Sequence, residues 1–259
     1  MVGSKELWRY KMAEDKKFPT EVIDLPSKGK LYSKDNPLSS GKIEIKYMTA
    51  REEDILTSQN LIKKGIVIET LLDSLIVTKG IKTQDLLLGD KNAVMVAARI
   101  LAYGPEYTVE LPNPTTGERM EHTFNLADCP FKNLPKDVNG NEITVTLPVS
   151  KQTIIFKLLT GKEEKAIDLE LKQLQKINSI VTPEMTTRLK HSIISVDGNA
   201  DKSVIYSFVD NMLSKDSLYL RQQMTKFAPD IELQQEIEIG GESVMVDIPM
   251  TADFFWPKA

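Results

Sequence analysis

The feature that most constrains the fold of this chain is a strand-like run followed by a helix-capping pattern, which occurs twice. Residues 43–56 read IEIKYMTAREEDIL, and residues 154–167 read IIFKLLTGKEEKAI. In both segments a threonine follows the apolar run, and a glutamate follows the threonine three residues later. This spacing is typical of a capping box, in which the two side chains satisfy backbone groups at the start of a helix. The sequence therefore predicts helices that begin after Thr49 and Thr160.

The two segments also suggest an internal repeat. They share five identities at aligned positions, and each precedes helical segments and then a predicted β-hairpin. We therefore predict an α+β protein made of two divergent tandem copies of a strand–helices–β-hairpin unit. The predicted boundaries give an N-terminal arm over residues 1–17, a first copy over 18–141 and a second copy over 142–259. Each hairpin is expected to pair with the strand before the capped helix. Chance similarity of two such junctions is the alternative.

Periodicity and turn residues place the other elements. Residues 18–42 are rich in Pro, Gly, Ser and Asp, so we expect an extended segment broken by turns. Alternating runs on either side of turn residues predict the two hairpins, within 106–126 and 231–249. The predicted helices cover 50–64, 66–78, 91–103, 161–178 and 182–196, together with the segments VIYSFVDNML and SLYLRQQMTKF, and EITVTLP is a further predicted strand.

The composition is that of a globular protein, and it argues against several functional classes. The 259 residues are 41% hydrophobic, which is enough for a sizeable core. The formal net charge is −4, so the chain has no general attraction for nucleic acid. No apolar run approaches the length of about 20 residues that spans a bilayer, and we predict no membrane partner. A single cysteine, Cys129, rules out an internal disulfide and suits a reducing compartment.

Two adjacent acidic pairs are the first candidates for chemistry. Glu52–Glu53 and Glu163–Glu164 each lie in the first turn of a predicted helix. Neighbouring helical side chains point about 100° apart, so neither pair converges on one substrate atom. Helix capping explains both pairs better than acid–base catalysis does. An enzyme with a site built from scattered Asp and Glu carboxylates is nevertheless an open alternative.

Metal, cofactor and phosphate sites find little support in the sequence. A structural zinc site takes about four ligands. The soft or imidazole candidates are only His122, Cys129 and His191. No glycine-rich phosphate loop is present, and basic residues are interleaved with acidic ones. We therefore predict no metal, cofactor, catalytic residue or nucleic-acid partner, with a nucleic-acid-binding module as a second alternative.

Aromatic residues near both termini are the candidates for partner binding. Phe254, Phe255 and Trp256 lie together within TADFFWPKA, and Trp8 and Tyr10 lie in the predicted arm. Each aromatic side chain can bury about 150–250 Å². The tail could fold back onto its own core, or it could anchor in a groove of a partner, where aromatic residues concentrate binding energy. The same two interpretations apply to Trp8 and Tyr10.

Four segments resemble a known family: LPSKGKLY at 25–32, IEIKYMTAREEDIL at 43–56, LLLGDKNAVMVAARILAYGPEY at 86–107 and DIPMTADFFWP at 247–257. They are similar to the baseplate protein family of T-even-type (myovirus) phages with contractile tails, whose members are described as baseplate hub subunits or hub assembly proteins. Similar proteins often carry cysteine knuckles at the hairpin tips. Here the tips read PNPTTGER and EIGGES, so the resemblance brings no metal with it.

The resemblance implies a non-enzymatic function. It implies a structural or assembly component of the tail baseplate that acts through protein–protein contacts with other baseplate and tail proteins. It also implies a place in the virion, after assembly in the host cytoplasm. A homo-oligomer within a symmetric assembly is left open. The residues that we expect to contact partners are Trp8, Tyr10, Phe254, Phe255 and Trp256.

Overall fold

The computed structural model describes residues 18–113, 117–136, 138–177, 181–239, 242–250 and 252–255. Across these residues the chain forms eight α-helices and nine β-strands. All paired strands are antiparallel, and the sheets are small, with two or three strands each. The α+β class predicted from the sequence is therefore confirmed. Trp8, Tyr10 and Trp256 lie outside the described residues.

The first half begins with a β-hairpin that the sequence did not predict. Strand Thr20–Asp24, within the segment that is rich in Pro and Gly, pairs with the predicted strand that follows it, and Ile23 lies opposite Ile43. The loop between these strands folds tightly at Gly29, which has a φ of 73° and where a Cβ would lie 2.2 Å from the Ser39 carbonyl oxygen. The elements of this half are β1 Thr20–Asp24, β2 Lys42–Lys46, α1 Ala50–Thr57, α2 Gln59–Lys64, α3 Val67–Leu75, α4 Leu88–Tyr103, β3 Glu106–Pro112 and β4 Arg119–Asn125.

The second half follows a similar order but contains an extra strand. The predicted helix over 182–196 ends at Ser192, and Ile193–Val196 pairs with the strand Thr153–Phe156. The β-branched residues of IISV favour this extended form. The elements are β5 Ile143–Thr146, β6 Thr153–Phe156, α5 Gly161–Ile177, α6 Glu184–Ser192, β7 Ile193–Val196, α7 Lys202–Asp210, α8 Ser214–Phe227, β8 Gln234–Ile239 and β9 Glu242–Asp247.

Two further expectations from the sequence are wrong. The predicted helix over 50–64 breaks at Ser58, whose ψ of 104° is extended, so α1 and α2 are separate helices. The hairpins β3–β4 and β8–β9 do not pair with the strands before the capped helices; each forms its own two-stranded sheet. Strand β2 instead pairs with β1, and strand β6 pairs with β5 and β7. Both edges of β6 are thus occupied by strands, and the second edge of β2 bonds to residues 76–78.

The buried apolar side chains form two clusters. The first core is built from β2, α1, α3, α4, the β3–β4 and β8–β9 hairpins and the C-terminal tail. The second core is built from β5–β7, α6, α7 and α8. Ile237, Ile248, Phe254 and Phe255 belong to the first core although they come from the end of the chain. Packing therefore crosses the predicted boundary after residue 141, and the division into two tandem copies stays a prediction. No helix in the described part of the chain is long and apolar enough to cross a membrane.

Candidate functional site

The first predicted helix start is held by a buried ion pair. Glu52 accepts a hydrogen bond from the Thr49 backbone N–H at 2.9 Å and one from the Thr49 hydroxyl at 2.6 Å. The Lys46 ammonium lies 2.8 Å from the other Glu52 carboxylate oxygen. Burial by itself raises the pKa of Glu52, but the hydrogen bonds from Lys46 and Thr49 outweigh burial, so the pKa is lowered. This carboxylate is fully engaged in holding the strand–helix junction.

The second predicted helix start has the same arrangement. Glu163 accepts from the Thr160 backbone N–H at 2.9 Å and from the Thr160 hydroxyl, and its second oxygen lies 2.7 Å from the Lys157 ammonium. Burial again opposes ionisation, but these hydrogen bonds lower the pKa of Glu163 to about 2. The glutamate thus reaches back to its threonine at both predicted helix starts, each time with a lysine from the preceding strand segment, and at Thr49 the capping box is complete. Neither provides a carboxylate free for acid–base chemistry.

The C-terminal aromatic pair is part of the first core. Phe254 and Phe255 are each 2% exposed. The Phe254 ring meets Tyr107 edge to face at a centroid distance of 5.1 Å, and Phe255 at 5.2 Å. The Tyr107 hydroxyl also donates to the Pro249 carbonyl at 3.0 Å, which holds the tail on the hairpin. Of the two interpretations of the tail, packing on its own core therefore describes these two residues, and their rings are covered while the tail stays there.

The remaining predicted contact residues lie outside the described part of the chain. These are Trp8, Tyr10 and Trp256, and their contact with a partner stays a prediction. The last described turn, Ala252–Phe255, ends directly before Trp256 in the sequence, and its Phe255 is buried.

The histidines and the cysteine have separate surroundings. The His122 ring packs on Phe124 at a centroid distance of 4.7 Å, and His191 Nε2 lies 2.9 Å from a Glu170 carboxylate oxygen. Burial raises the pKa of the Cys129 thiol, which disfavours the reactive thiolate. Among the described residues, no three His, Cys, Asp or Glu side chains come close enough to hold a metal ion.

A groove lined mainly by the second half is one concave surface of the described residues. It has a volume of about 810 Å³ and lies between the start of α4, the segment after β6, and helices α5, α6 and α8. Its lining includes the buried side chains of Leu87, Leu158 and Leu189. Two further apolar side chains at the groove are exposed, Leu88 at 37% and Met185 at 48%. The groove is therefore an open apolar surface.

The charged side chains of the groove are mostly paired. Arg188 bonds to Glu164 and, through Nε at 3.2 Å, to Glu184. The hydrogen bond that Arg188 donates to Glu164 is the main cause of the raised pKa of the Arg188 guanidinium. Glu164, a candidate carboxylate in the sequence, is thus ion-paired. Arg221 also lines the groove and is exposed, and no described residue forms a hydrogen bond or ion pair with it.

A buried polar cluster joins the loop after β1 to helix α4. Asp90 is 0% exposed and accepts from the Ser27 backbone N–H at 2.9 Å and from the Tyr32 hydroxyl at 2.7 Å. The Tyr32 oxygen in turn accepts from the Leu87 backbone N–H at 2.9 Å. Burial raises the pKa values of both Asp90 and Tyr32. The sequence segments LPSKGKLY and LLLGDKNAV therefore meet through hydrogen bonds, which no local pattern predicts.

Comparison with protein families gives one match. The family described as T4 bacteriophage base plate protein matches residues 18–256. Comparisons with curated proteins and with solved structures found no match. The matched region includes both halves of the chain, the groove and the buried polar cluster, and it begins where the predicted arm ends.

Proposed function

Because the chain belongs to the T4 bacteriophage base plate protein family, we propose that it is a hub component of a contractile tail, as a resident subunit or an assembly factor. It acts by protein–protein contacts and carries out no catalysis. The family match over residues 18–256 is the observation that carries this proposal. Membership makes the chain a structural component of the phage baseplate, located in the virion tail and in contact with other tail and baseplate proteins.

The groups with catalytic potential support a non-enzymatic function. Glu52 and Glu163 are each held by a lysine and a threonine, and Glu164 is held by Arg188. A general base needs a carboxylate that can reach a substrate proton. These carboxylates are used to hold the start of a helix or the wall of the groove.

We place the contacts with other baseplate proteins at the two ends of the chain. Trp8, Tyr10 and Trp256 are large aromatic residues that the described part of the chain does not include, and aromatic residues are enriched among interface hot spots. Phe254 and Phe255, the other two predicted contact residues, are buried in the first core, so the proposal places the C-terminal contact at Trp256. Assembly in the host cytoplasm, and copies of the chain arranged symmetrically, belong to the same proposal.

Immunoprecipitation from infected cells tests the proposed contacts. An antibody against the chain should co-precipitate baseplate proteins, which mass spectrometry identifies. Trp8→Ala or Trp256→Ala should reduce their recovery, whereas Tyr206→Ala, which removes a partly exposed aromatic ring on α7, should not. Recovery of no baseplate protein with the parent chain would contradict the proposal. Mass spectrometry of purified virions beside infected lysate then distinguishes a resident subunit from an assembly factor.

A further inference from the structure

An asparagine–glycine step lies in the loop between β4 and β5. Asn139–Gly140 is the only such step in the sequence. The Asn139 side chain is exposed and forms no hydrogen bond with a described residue. Gly140 has a φ of 89°, a conformation that favours glycine over residues with a Cβ. The backbone nitrogen that follows Asn139 is therefore not shielded by a side chain of its own residue.

The loop is fixed on both sides of this step. Val138 is 6% exposed and belongs to the second core. The Asn141 carboxamide donates to the Leu158 carbonyl at 2.9 Å and accepts from the Leu158 backbone N–H at 2.8 Å. The Gly140 N–H donates to the Lys30 carbonyl at 2.7 Å. This last hydrogen bond ties the loop to the segment between β1 and β2 in the first half of the chain.

We propose that Asn139 is a site of spontaneous deamidation, and that the hydrogen bond from Gly140 to Lys30 controls its rate. Asparagine is among the chemically labile residues of proteins. In this reaction the Gly140 nitrogen loses its proton to solvent and bonds to the Asn139 side-chain carbon, Cγ. The Cγ–Nδ2 bond breaks, and the side-chain nitrogen takes up a proton and leaves as ammonia. Water then opens the resulting succinimide ring at either carbonyl, which gives aspartate or isoaspartate.

The hydrogen bond to Lys30 makes the folded chain react slowly. The Gly140 nitrogen must lose its proton before it attacks Cγ, and in the fold this N–H is held by the Lys30 carbonyl. The reaction therefore requires local opening of this contact. Such openings occur with free energies below that of global unfolding. The rate at which Asn139 is modified thus reports how often the loop leaves the first half of the chain.

The modification changes the same contact. In isoaspartate the backbone runs through the side-chain carbon, so one more methylene group separates Val138 from Gly140. The longer backbone displaces the Gly140 N–H from Lys30 while Val138 stays in the second core. We therefore expect the modified chain to be less stable than the parent chain. The purified chain alone tests the site, whatever its place in the baseplate.

Peptide mapping of the full chain, incubated at mildly alkaline pH in water enriched in heavy oxygen, measures the reaction. Each succinimide that opens takes up one oxygen atom from water. A synthetic peptide with the sequence KDVNGNE, residues 136–142, gives the rate without the fold. Asn139 in the folded chain should incorporate the label at a rate at least about tenfold below that of the peptide. Asn139→Gln should incorporate far less, because a glutamine side chain places its carbonyl carbon one methylene further from the attacking nitrogen.

A pair of alanine variants tests the control of the rate. Asn141→Ala removes both hydrogen bonds to Leu158 and should raise the rate, relative to its own peptide, at least about fivefold, as expected from loss of one hydrogen bond of ordinary strength. Asn211→Ala is the matched control and should leave the rate unchanged, because the Asn211 carboxamide bonds to the Ser207 carbonyl at 2.7 Å on α7, in another part of the chain.

Three results would overturn the proposal. An Asn139 that stays unmodified in the folded chain for about a hundred half-times of the peptide reaction would remove the site. Equal rates in the folded chain and the peptide would show that the contact with Lys30 does not control the reaction, as would equal effects of Asn141→Ala and Asn211→Ala. None of these results bears on the co-precipitation of baseplate proteins.

Discussion

The hydroxyl of Tyr32 donates a 2.7 Å hydrogen bond to a carboxylate oxygen of Asp90, 58 residues further along the chain. Tyr32 packs against both hydrophobic cores, and Asp90 lies in the first turn of α4. The same tyrosine oxygen accepts from the Leu87 backbone N–H. One phenol therefore joins the β1–β2 loop to the start of α4 at the seam between the cores.

Removal of the Tyr32 hydroxyl should weaken the fold. Tyr32→Phe leaves Asp90 with one hydrogen bond fewer and leaves the Leu87 N–H without its acceptor. A buried polar group that loses its partner costs about 1–3 kcal/mol. Urea denaturation should show this decrease in the free energy of unfolding. Tyr206→Phe, at a partly exposed tyrosine on α7, should change stability by less than about 0.5 kcal/mol; equal losses in the two variants would show that the Asp90 contact contributes nothing.

Glu163, whose carboxylate caps α5, should make the free energy of unfolding depend on pH in the acid range. The folded-state pKa of Glu163, about 2, lies below its ordinary value of 4.5. The ionised form therefore stabilises the fold above about pH 4.5, and this contribution is lost as the pH falls toward 2. Glu163→Gln should reduce the free energy of unfolding at neutral pH by about 1–2 kcal/mol, a value discounted for partial exposure.

The same variant should approach the parent protein in stability near pH 2, because most of the contribution of the ionised carboxylate is lost once the pH reaches its folded-state pKa. Denaturation profiles between pH 7 and pH 2 give the comparison, with Glu232→Gln, at an exposed residue before β8, as the control. A stability difference that stays constant over this range would show that the Lys157–Glu163 charge interaction is not its source.

The buried tail residues should contribute to stability. Phe254→Ala or Phe255→Ala removes a ring from the first core, and such truncations cost about 3–5 kcal/mol. Deletion of residues 251–259 should therefore destabilise the chain. If the tail served only as an anchor for a partner, the same deletion would leave the chain folded and equally stable. Thermal unfolding measures both effects. Unchanged melting of Phe254→Ala would show that the tail is not part of the core in solution.

Gly89 should not tolerate a methyl group. A Cβ at Gly89 would lie 1.8 Å from the Pro229 carbonyl oxygen, where α4 begins beside the groove. Alanine normally favours a helix by about 1 kcal/mol over glycine, but overpacking costs about 1–3 kcal/mol. Gly89→Ala is therefore expected to lower the free energy of unfolding in urea. A more stable variant would mean that residues 229–230 move away from α4 without loss.

Local chemistry explains what the sequence predicted correctly. Thr49 and Thr160 begin helices because each lies three residues before a glutamate that bonds back to it. The prediction of these two helix starts used only neighbouring residues. The structure adds the lysine partners Lys46 and Lys157, which are also close in sequence. The hairpins β3–β4 and β8–β9 were predicted for the same reason, since turn residues and alternation lie within one short segment.

Long-range packing explains what the sequence did not predict. Strand β7 forms because Ile193–Val196 finds the edge of β6, nearly 40 residues earlier in the chain. The C-terminal hairpin packs on the first core, although chain order suggested the second. The groove was missed because its walls come from four helices and the loops between elements, and Arg188 and Met185 carry no local signal that sets them apart from other surface residues.

The central claim is that this chain is a structural component of a phage baseplate. The most direct measurement is electron microscopy of tails made in infected cells when the phage lacks the coding sequence for this chain. The account predicts that complete baseplates are absent and that supplying the chain from a plasmid restores them. Normal numbers of complete, baseplate-bearing tails without the chain would contradict the claim.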